Sequence, residues 1–458
     1  MLLRLYDLLL HAAQPLLKRK LRRRGVAEPL YLHATHQRFA RYTAHEQAQA
    51  QQHAGQWLWI HAVSLGETRA AGIVLQALRQ TQPQLRLLLT HGTATGWQEG
   101  QKLLQAGDMQ VWLPWDTRSA VQRFLRTFRP RAGLIMETEI WPQLLATCHA
   151  QRIPVALGNA RLSEKTLRQW QRLPRLARQI YGYLSAAYAQ TDADAQRLRT
   201  LGAGSVLVTG NVKFDAAPSP ELLQQGRALR RQWQSHEALA RPTVLLASSR
   251  EGEEALWLQA LQALPAAQQQ AVQWLVVPRH PQRFDAVAAL LQAASLAVHR
   301  RSQPHAHTLP ANTASIWLGD SMGEMPLYYG MADVVLMGGS FEKLGGQNLI
   351  EACACACPVL LGPHTFNFAE ASEQAIAAGA ALRCTDMAHA VQQALALVAA
   401  DTGAHAAPDT ATNAAAHSAA LANSRLTAMR QAALAFSQAH RGAAARIAAD
   451  MQQRGWLG

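Results

Sequence analysis

Cysteine is scarce in this chain: five residues, at 148, 353, 355, 357 and 384, in a length of 458. So few, so unevenly placed, form no disulfide framework for a chain this long, and a reducing compartment suits them. Lysine is nearly as scarce, six of the 44 basic residues, so arginine carries the positive charge and a lysine beside a glycine turn stands out. Acidic residues number only 30, which leaves a net charge of +14 and points toward phosphates, nucleotides, nucleic acid or anionic lipid. No nucleic-acid motif and no basic stripe with interleaved aromatics is present, which removes nucleic acid. At 49% hydrophobic and 16% charged the chain is too apolar for disorder and too interrupted by charge for a multi-span membrane protein. What remains is a globular chain of about two to four domains.

The most apolar terminal stretch, MLLRLYDLLLHAAQPLL over residues 1–17, is broken by Arg4, Asp7 and Pro15. Arg4, Asp7, His11 and Gln14 fall along one side of a helix, leaving Leu3, Leu5, Leu9, Leu10 and Leu16 largely to the other sides. A spanning helix needs roughly 20 apolar residues, so the expectation is a helix lying in a membrane interface. Lys18-Arg19-Lys20-Leu21-Arg22-Arg23-Arg24 follows, and anionic headgroups attract each such cation by about 1 kcal/mol. Basic residues after the apolar run reverse the order of a secretory signal, so this flank is expected to stay cytoplasmic. The other reading is an ordinary helix packed on the body with a solvated basic turn.

From Trp57 the apolar runs WLWIHAV, LRLLLTH, AGLIMET, IPVALGNA and SAAYAQT alternate with segments of helical length. A second set follows Arg241-Pro242: TVLLA, VQWLVVPRH, SIWLGD, DVVLMGGS and PVLLGP. Strands alternating with helices predict parallel sheets covered on both faces, here two doubly wound, Rossmann-like α/β domains with a cleft between them. The expected division is a membrane-associating helix and basic segment over 1–30, a first domain over 31–215, a linker over 216–240 and a second domain over 241–458. Residues 399–424, low in complexity, read as an inserted loop or spacer.

Ligands in such sheets bind beyond the carboxyl ends of the strands, and the candidate residues lie there. Glu67, in His61-Ala-Val-Ser-Leu-Gly-Glu67, is placed either as a first-turn acid complementing a helix dipole or as a general base. Glu137 and Glu139 follow the strand AGLIM, where an apolar flank makes charge costly. Lys213, in Gly210-Asn-Val-Lys-Phe-Asp215, is placed to neutralise a carboxylate or phosphate. In the second half Ser248, Ser249 and Arg250 leave a strand and open a helix, which suits either a phosphate or a serine cap with acids in the first turn. Pro278-Arg279 puts a guanidinium at a strand end. Gly323, Glu324 and Met325, and then Asn348, Leu349, Ile350 and Glu351, sit among closely spaced glycines, with Asn348 placed to cap the helix carrying Glu351. Of Cys353, Cys355 and Cys357 only the first and last share a helical face, so they read as packing residues and no metal site is expected.

These residues resemble the bacterial 3-deoxy-D-manno-octulosonic acid (Kdo) transferases of lipopolysaccharide assembly. The resemblance lies in Trp59 to Glu67, Met136-Glu-Thr-Glu-Ile-Trp-Pro142, Gly158-Asn-Ala-Arg161, Gly210 to Asp215, Pro278-Arg-His280, Gly323-Glu324 and Gly362-Pro-His-Thr-Phe-Asn367. It implies a GT-B glycosyltransferase with an acceptor-binding first domain and a donor-binding second domain. The implied reaction moves Kdo from CMP-Kdo to a lipid A precursor, lipid IVA, at the cytoplasmic face of the inner membrane, inverting, with no metal and no cofactor beyond the donor. By the resemblance Glu67 is the base, Glu137 and Lys213 stabilise the transition state, and Pro278, Arg279, Gly323 to Met325 and Asn348 to Glu351 contact CMP. Gln347 stands where the family commonly has histidine, and Asn348-Leu-Ile-Glu351 lacks the family's proline. The alternatives are a nucleotide-sugar epimerase of the same fold and a non-catalytic membrane-bound nucleotide-sugar binding protein.

Overall fold

The computed structural model describes residues 2–234, 241–303, 315–402 and 413–457. Two compact units divide the chain, Met1–Asp215 with His440–Gly458, and Ala216–Ala439.

The first unit is built on β1 (Trp57–His61), β2 (Arg86–His91), β3 (Met109–Trp112), β4 (Ala132–Met136), β5 (Val155–Ala160), β6 (Ala186–Ala189) and β7 (Val206–Val208). They form one parallel sheet in the order β3-β2-β1-β4-β5-β6-β7. Every residue of β1, β4 and β5 is buried, as continuous apolar runs covered on both faces require. Side chains alternate between the two faces: Trp57 and Trp59 join Val121, Phe124 and Phe128 on one, while Leu58 and Ile60 join Val74, Leu75 and Leu78 of the helix Leu65–Thr81 on the other. The strand order reverses between β1 and β4, which pair from Leu58↔Ala132 to His61↔Ile135. That switch point sets the residues after His61 beside those after Met136, and connections leaving to opposite faces open a crevice there.

The second unit carries β8 (Thr243–Ser249), β9 (Gln273–Pro278), β10 (Ala297–Arg300), β11 (Ser315–Leu318), β12 (Val334–Met337), β13 (Val359–Leu361) and β14 (Ala381–Arg383). The order is β10-β11-β9-β8-β12-β13-β14, again parallel. Its switch point falls between β8 and β12, paired from Val244↔Val334 to Ala247↔Met337.

Two parallel α/β units agree with the expectation, and three of its details are corrected. Residues 440–458, placed by the sequence in the second domain, pack on the first. The helix Ala443–Gln453 sends Ile447 and Met451 into the core beside Leu75 and Leu78, and Asp215 accepts N–H bonds from Gly442 and Ala444 at its start. The expected linker 216–240 contains the helix Pro220–Gln234, which belongs to the second unit and meets the helix Met325–Met331 so closely that Gly226 leaves no room for a Cβ against Leu327. The expected loop over 399–424 is helical at both ends, within Met387–Thr402 and Asn413–Ala439. Alanine, the best helix former, dominates it, and residues 403–412 lie outside the described residues.

The N-terminal helix runs Leu2–Ala27, straight through the basic cluster and past Pro15. Leu3 packs against the core and Leu10 is half-buried, whereas Leu2, Leu5, Leu8, Leu9 and Leu16 are exposed. Among the described residues no helix is long and apolar enough to cross a membrane.

Candidate active site

Glu67 opens the helix Leu65–Thr81 at the first switch point. Its N–H donates to Ser64 Oγ, which caps the helix and in turn donates to Glu67 Oε1 at 3.1 Å. Val63 N–H donates to Glu67 Oε2 at 2.7 Å. Burial pushes this carboxyl up, with help from the charges of Glu137 and Glu139, and the bonds from Val63 and Ser64 pull it back, leaving it at about 7. A carboxyl in that range exchanges a proton at neutral pH.

Glu137 leaves β4 with φ +57°, a left-handed conformation that costs a non-glycine residue strain and recurs at functional sites. Its N–H donates to Gly158 O at 2.8 Å, and its buried carboxylate stands 3.0 Å from Lys213 Nζ. Lys213 sits on a single 3-10 turn, Val212–Asp215. Asn211 Oδ1 accepts its N–H at 3.0 Å, and Asn159 Oδ1 accepts that of Val212 at 3.1 Å. Asn159 reaches the turn because β5 is irregular between Leu157 and Ala160, and a bulge re-aims the side chains around it. Glu139 is half-buried nearby, its carboxyl also pushed up by burial.

At the second switch point Glu253 is the tie. Fully buried, it accepts the N–H of Gly339 at 2.6 Å and of Arg250 at 2.8 Å on one oxygen and of Phe341 at 3.0 Å on the other. It thereby binds the turn after β12 to the turn after β8. Neither Ser248 nor Ser249 caps the helix Glu253–Gln262; Gly252 stands at the cap with φ +91°. Ser249 is fully buried and its hydroxyl donates inward to Glu254 at 2.7 Å, as a buried hydroxyl must find a partner. Glu254 also receives both terminal nitrogens of Arg283, at 2.8 and 2.7 Å. Arg250 donates to the exposed Glu251 at 2.9 Å, and Ser248 Oγ lies 3.9 Å from Met325 Sδ.

Arg279 N–H donates to Ser249 O at 2.9 Å, and its Nε donates to Gln347 Oε1 at 3.2 Å. Asn348 caps the helix Leu349–Ala354 through an N–H bond from Ile350 at 3.2 Å. Leu349 and Ile350 are buried and Glu351 is half-buried on that helix. Gly323 is exposed at φ +81°, and the neighbouring Glu324 pairs with Arg301 at 3.1 Å.

A family model described as 3-Deoxy-D-manno-octulosonic-acid transferase (kdotransferase) matches residues 33–216. A 3-deoxy-D-manno-octulosonic acid transferase of Bordetella pertussis is 46% identical over 408 residues, covering 88% of this chain and 87% of that protein. The chain belongs to the 3-deoxy-D-manno-octulosonic acid transferase family. It is therefore a glycosyltransferase, and its two units are those of the GT-B fold. A glycosyltransferase from Rickettsia africae superposes with a TM-score of 0.54 at 10% identity, over 88% of this chain and 98% of that one. A putative UDP-N-acetylglucosamine 2-epimerase from Listeria monocytogenes gives 0.51 at 13%, over 87% and 96%. At those identities only the fold is shared. It is common to a transferase and an epimerase, so the sequence relationship, and not the fold, separates this Kdo transferase from the epimerase alternative.

Within the Kdo transferase, Glu137 and Lys213 meet as a pair, and Glu67 lies within reach of Glu137's charge. Arg279 and Asn348 are linked through Gln347, the residue that departs from the family's usual histidine. Ser249 is withdrawn from any ligand by Glu254, and Leu349 and Ile350 turn their side chains into the core. Asn159 and Glu253 carry positioning work that sequence reasoning did not assign. Their only signal was a place inside motifs already singled out, Gly158 to Arg161 and Ser248 to Glu254.

Proposed function

We propose that the enzyme transfers Kdo from CMP-Kdo to a lipid A precursor, lipid IVA, at the cytoplasmic face of the inner membrane, with inversion and without a metal ion. The observation that carries this reading is the Glu67 carboxyl, held at about 7 by burial at a switch point beside the Glu137–Lys213 pair. Glu67 takes the proton from an acceptor hydroxyl while that oxygen bonds to the anomeric carbon of Kdo. On the opposite side the bond from the anomeric carbon to the phosphate oxygen breaks, and CMP leaves as the anion. One base and one direct displacement give inversion.

Positive charge grows on the sugar and negative charge on the leaving phosphate, so carboxylates near the first and cations near the second both lower the barrier. Glu137 supplies the former. Arg279, steadied by Gln347, supplies the latter, together with backbone N–H groups of the glycine-rich turns. Lys213, already balanced by Glu137, meets the carboxylate of Kdo itself. The exposed leucines of the helix Leu2–Ala27 and its basic end rest on the membrane.

Glu67→Gln tests the reading. CMP binding should stay within about twofold of wild type, while transfer falls by about 10²–10⁴, the loss expected of a missing general base. Near-normal turnover would sink the assignment. A rate that collapses with chelator would remove the metal-free mechanism.

A further inference from the structure

A cavity of about 410 Å³ lies in the first unit between the helix Leu2–Ala27 and the loops that follow β1, β2 and β3, a size suited to a ligand. Its walls differ in character. Leu10, Leu17 and Leu21 of the helix make one side apolar, and Lys20 and Arg24 of the same helix join Arg38 to give three cations. Asp116 and Glu139 also line it, and burial pushes both carboxyls up, Asp116 to about 7. Asp116 is further occupied by the Tyr6 hydroxyl and by the N–H groups of Gln143 and Leu144.

Three buried polar atoms of residues lining this cavity have no hydrogen-bond partner among the described residues: Arg38 Nε, His61 Nε2 and Trp141 Nε1. Arg38 is 6% exposed and His61 0%. Arg38 is fixed in place, its Nη2 donating to Gly92 O at 3.2 Å and its Cζ lying 4.1 Å from the centroid of the Trp112 ring. Among the described residues it pairs with no carboxylate. Arginine Nε and the indole nitrogen can only donate, and buried donors left unmade are rare because they are costly. An acceptor-rich anion is the kind of partner such donors lack. Val63, whose N–H holds Glu67, lines the same cavity, so a molecule anchored here lies beside the base.

We propose that this cavity binds a phosphate monoester of the acyl-chain-bearing acceptor, with Arg38 as its buried ligand, Lys20 and Arg24 as further cations, and the helix leucines against the lipid chain. The inference rests on the reading of the acceptor as a lipid A precursor. Arginine matches phosphate with its planar fork, and the apolar wall suits the lipid to which that phosphate is attached.

The test compares Arg38→Gln and the double variant Lys20→Gln/Arg24→Gln with wild type, on the phosphorylated acceptor and on the same acceptor stripped of its phosphates. KM for the phosphorylated acceptor should rise at least about tenfold in each, the scale of a lost bond to a charged group, while kcat at saturation and KM for CMP-Kdo stay within about twofold. With the stripped acceptor, presented in neutral detergent micelles without anionic lipid, the variants should match wild type. Flotation of Arg38→Gln on anionic vesicles should be unchanged. An equal KM rise on both acceptors overturns the proposal. So does a loss of vesicle binding with acceptor KM unaltered, which would assign the cations to bulk headgroups. If Arg38→Gln fails to fold, as thermal unfolding reveals, the exposed Lys20 and Arg24 variant carries the test. If wild type transfers nothing to this acceptor, the reading of the acceptor has failed; titration calorimetry of the phosphorylated acceptor then tests the cavity separately, and equal affinity for wild type and variants overturns it.

Discussion

The Glu67 carboxyl is pulled two ways, up by burial and by Glu137 and Glu139, down by the Val63 N–H and the Ser64 hydroxyl. Only its ionised form accepts a proton, so kcat/KM should rise about tenfold per pH unit below about 7 and level off above it. A pH–rate profile checks this, and a profile flat from about pH 5 to 8 removes Glu67 as the base. Glu137 and Lys213 allow a sharper separation of fold from chemistry. Lys213→Met leaves Glu137 buried without its cation and should cost about 1–3 kcal/mol, read by thermal unfolding, together with transfer activity. Adding Glu137→Gln removes both charges, so most of the stability should return while activity does not; recovery of turnover in the double variant contradicts a catalytic role for the pair. Glu67, Glu137 and Lys213 stood out in the sequence because each follows a strand-like apolar run, and Lys213 also because lysine is scarce. Arg38 did not, since its meaning depends on Trp112 of β3 and Gly92, just after β2, closing around it. Glu253 looked like any first-turn acid until the turn after β12 came to rest on it.

At the scale of elements, the interior strands announced themselves and the edges did not. The apolar runs correspond to β1, β2, β4, β5 and β6 and to β8, β9, β11, β12 and β13, buried between neighbours on both sides. The strands without such a run, β3, β7, β10 and β14, are the four edges of the two sheets. They are three or four residues long, and β7 and β10 have no buried residue at all, so alternation and burial left little pattern to read. The N-terminal helix was legible as amphipathic but not in its orientation. One face is fastened to the body: Tyr6 Oη donates to Asp116 at 3.0 Å, the Gln143 amide to Leu3 O at 2.7 Å, and Arg118 N–H to Asp7 at 2.7 Å. The leucines left over, exposed by 46 to 69%, form the opposite face. Leu5→Gln/Leu9→Gln/Leu16→Gln should therefore lower partition onto vesicles at least about a hundredfold, since each leucine is worth roughly 1.5–3 kcal/mol on burial. The unfolding temperature should hold, because these side chains touch solvent in the folded protein. Flotation that survives the triple substitution removes the helix as the membrane contact.

For the whole molecule, the prolines at 218 and 220 marked the first crossing of the chain between its units, and nothing marked the second. The segment HRGAAARIAADMQQRGWLG reads as one more amphipathic helix, and an amphipathic pattern states that a face is buried without stating against which sheet. Three contacts decide it: Asp215 holding the start of the helix Ala443–Gln453, Tyr188 Oη donating to Asp450 at 2.8 Å, and Arg446 donating to Thr209 O at 2.7 Å. Each ties the last residues to the strands and turns around Lys213, so the final segment supports the first unit although it follows the second in sequence. A chain ending at Ala439 should then lose the burial of Ile447 and Met451, roughly 1.5–3 kcal/mol apiece, and leave the Asp215 carboxylate without the N–H groups it holds. Calorimetry should show the first unit unfolding at a lower temperature while the second, whose core contains nothing from 440–458, keeps its transition. CMP binding should persist and transfer should fail. A truncated chain whose transitions both stay in place would show that the return of the chain is an ornament to the first unit's stability and that Lys213 is held by Asn159 and Asn211 alone.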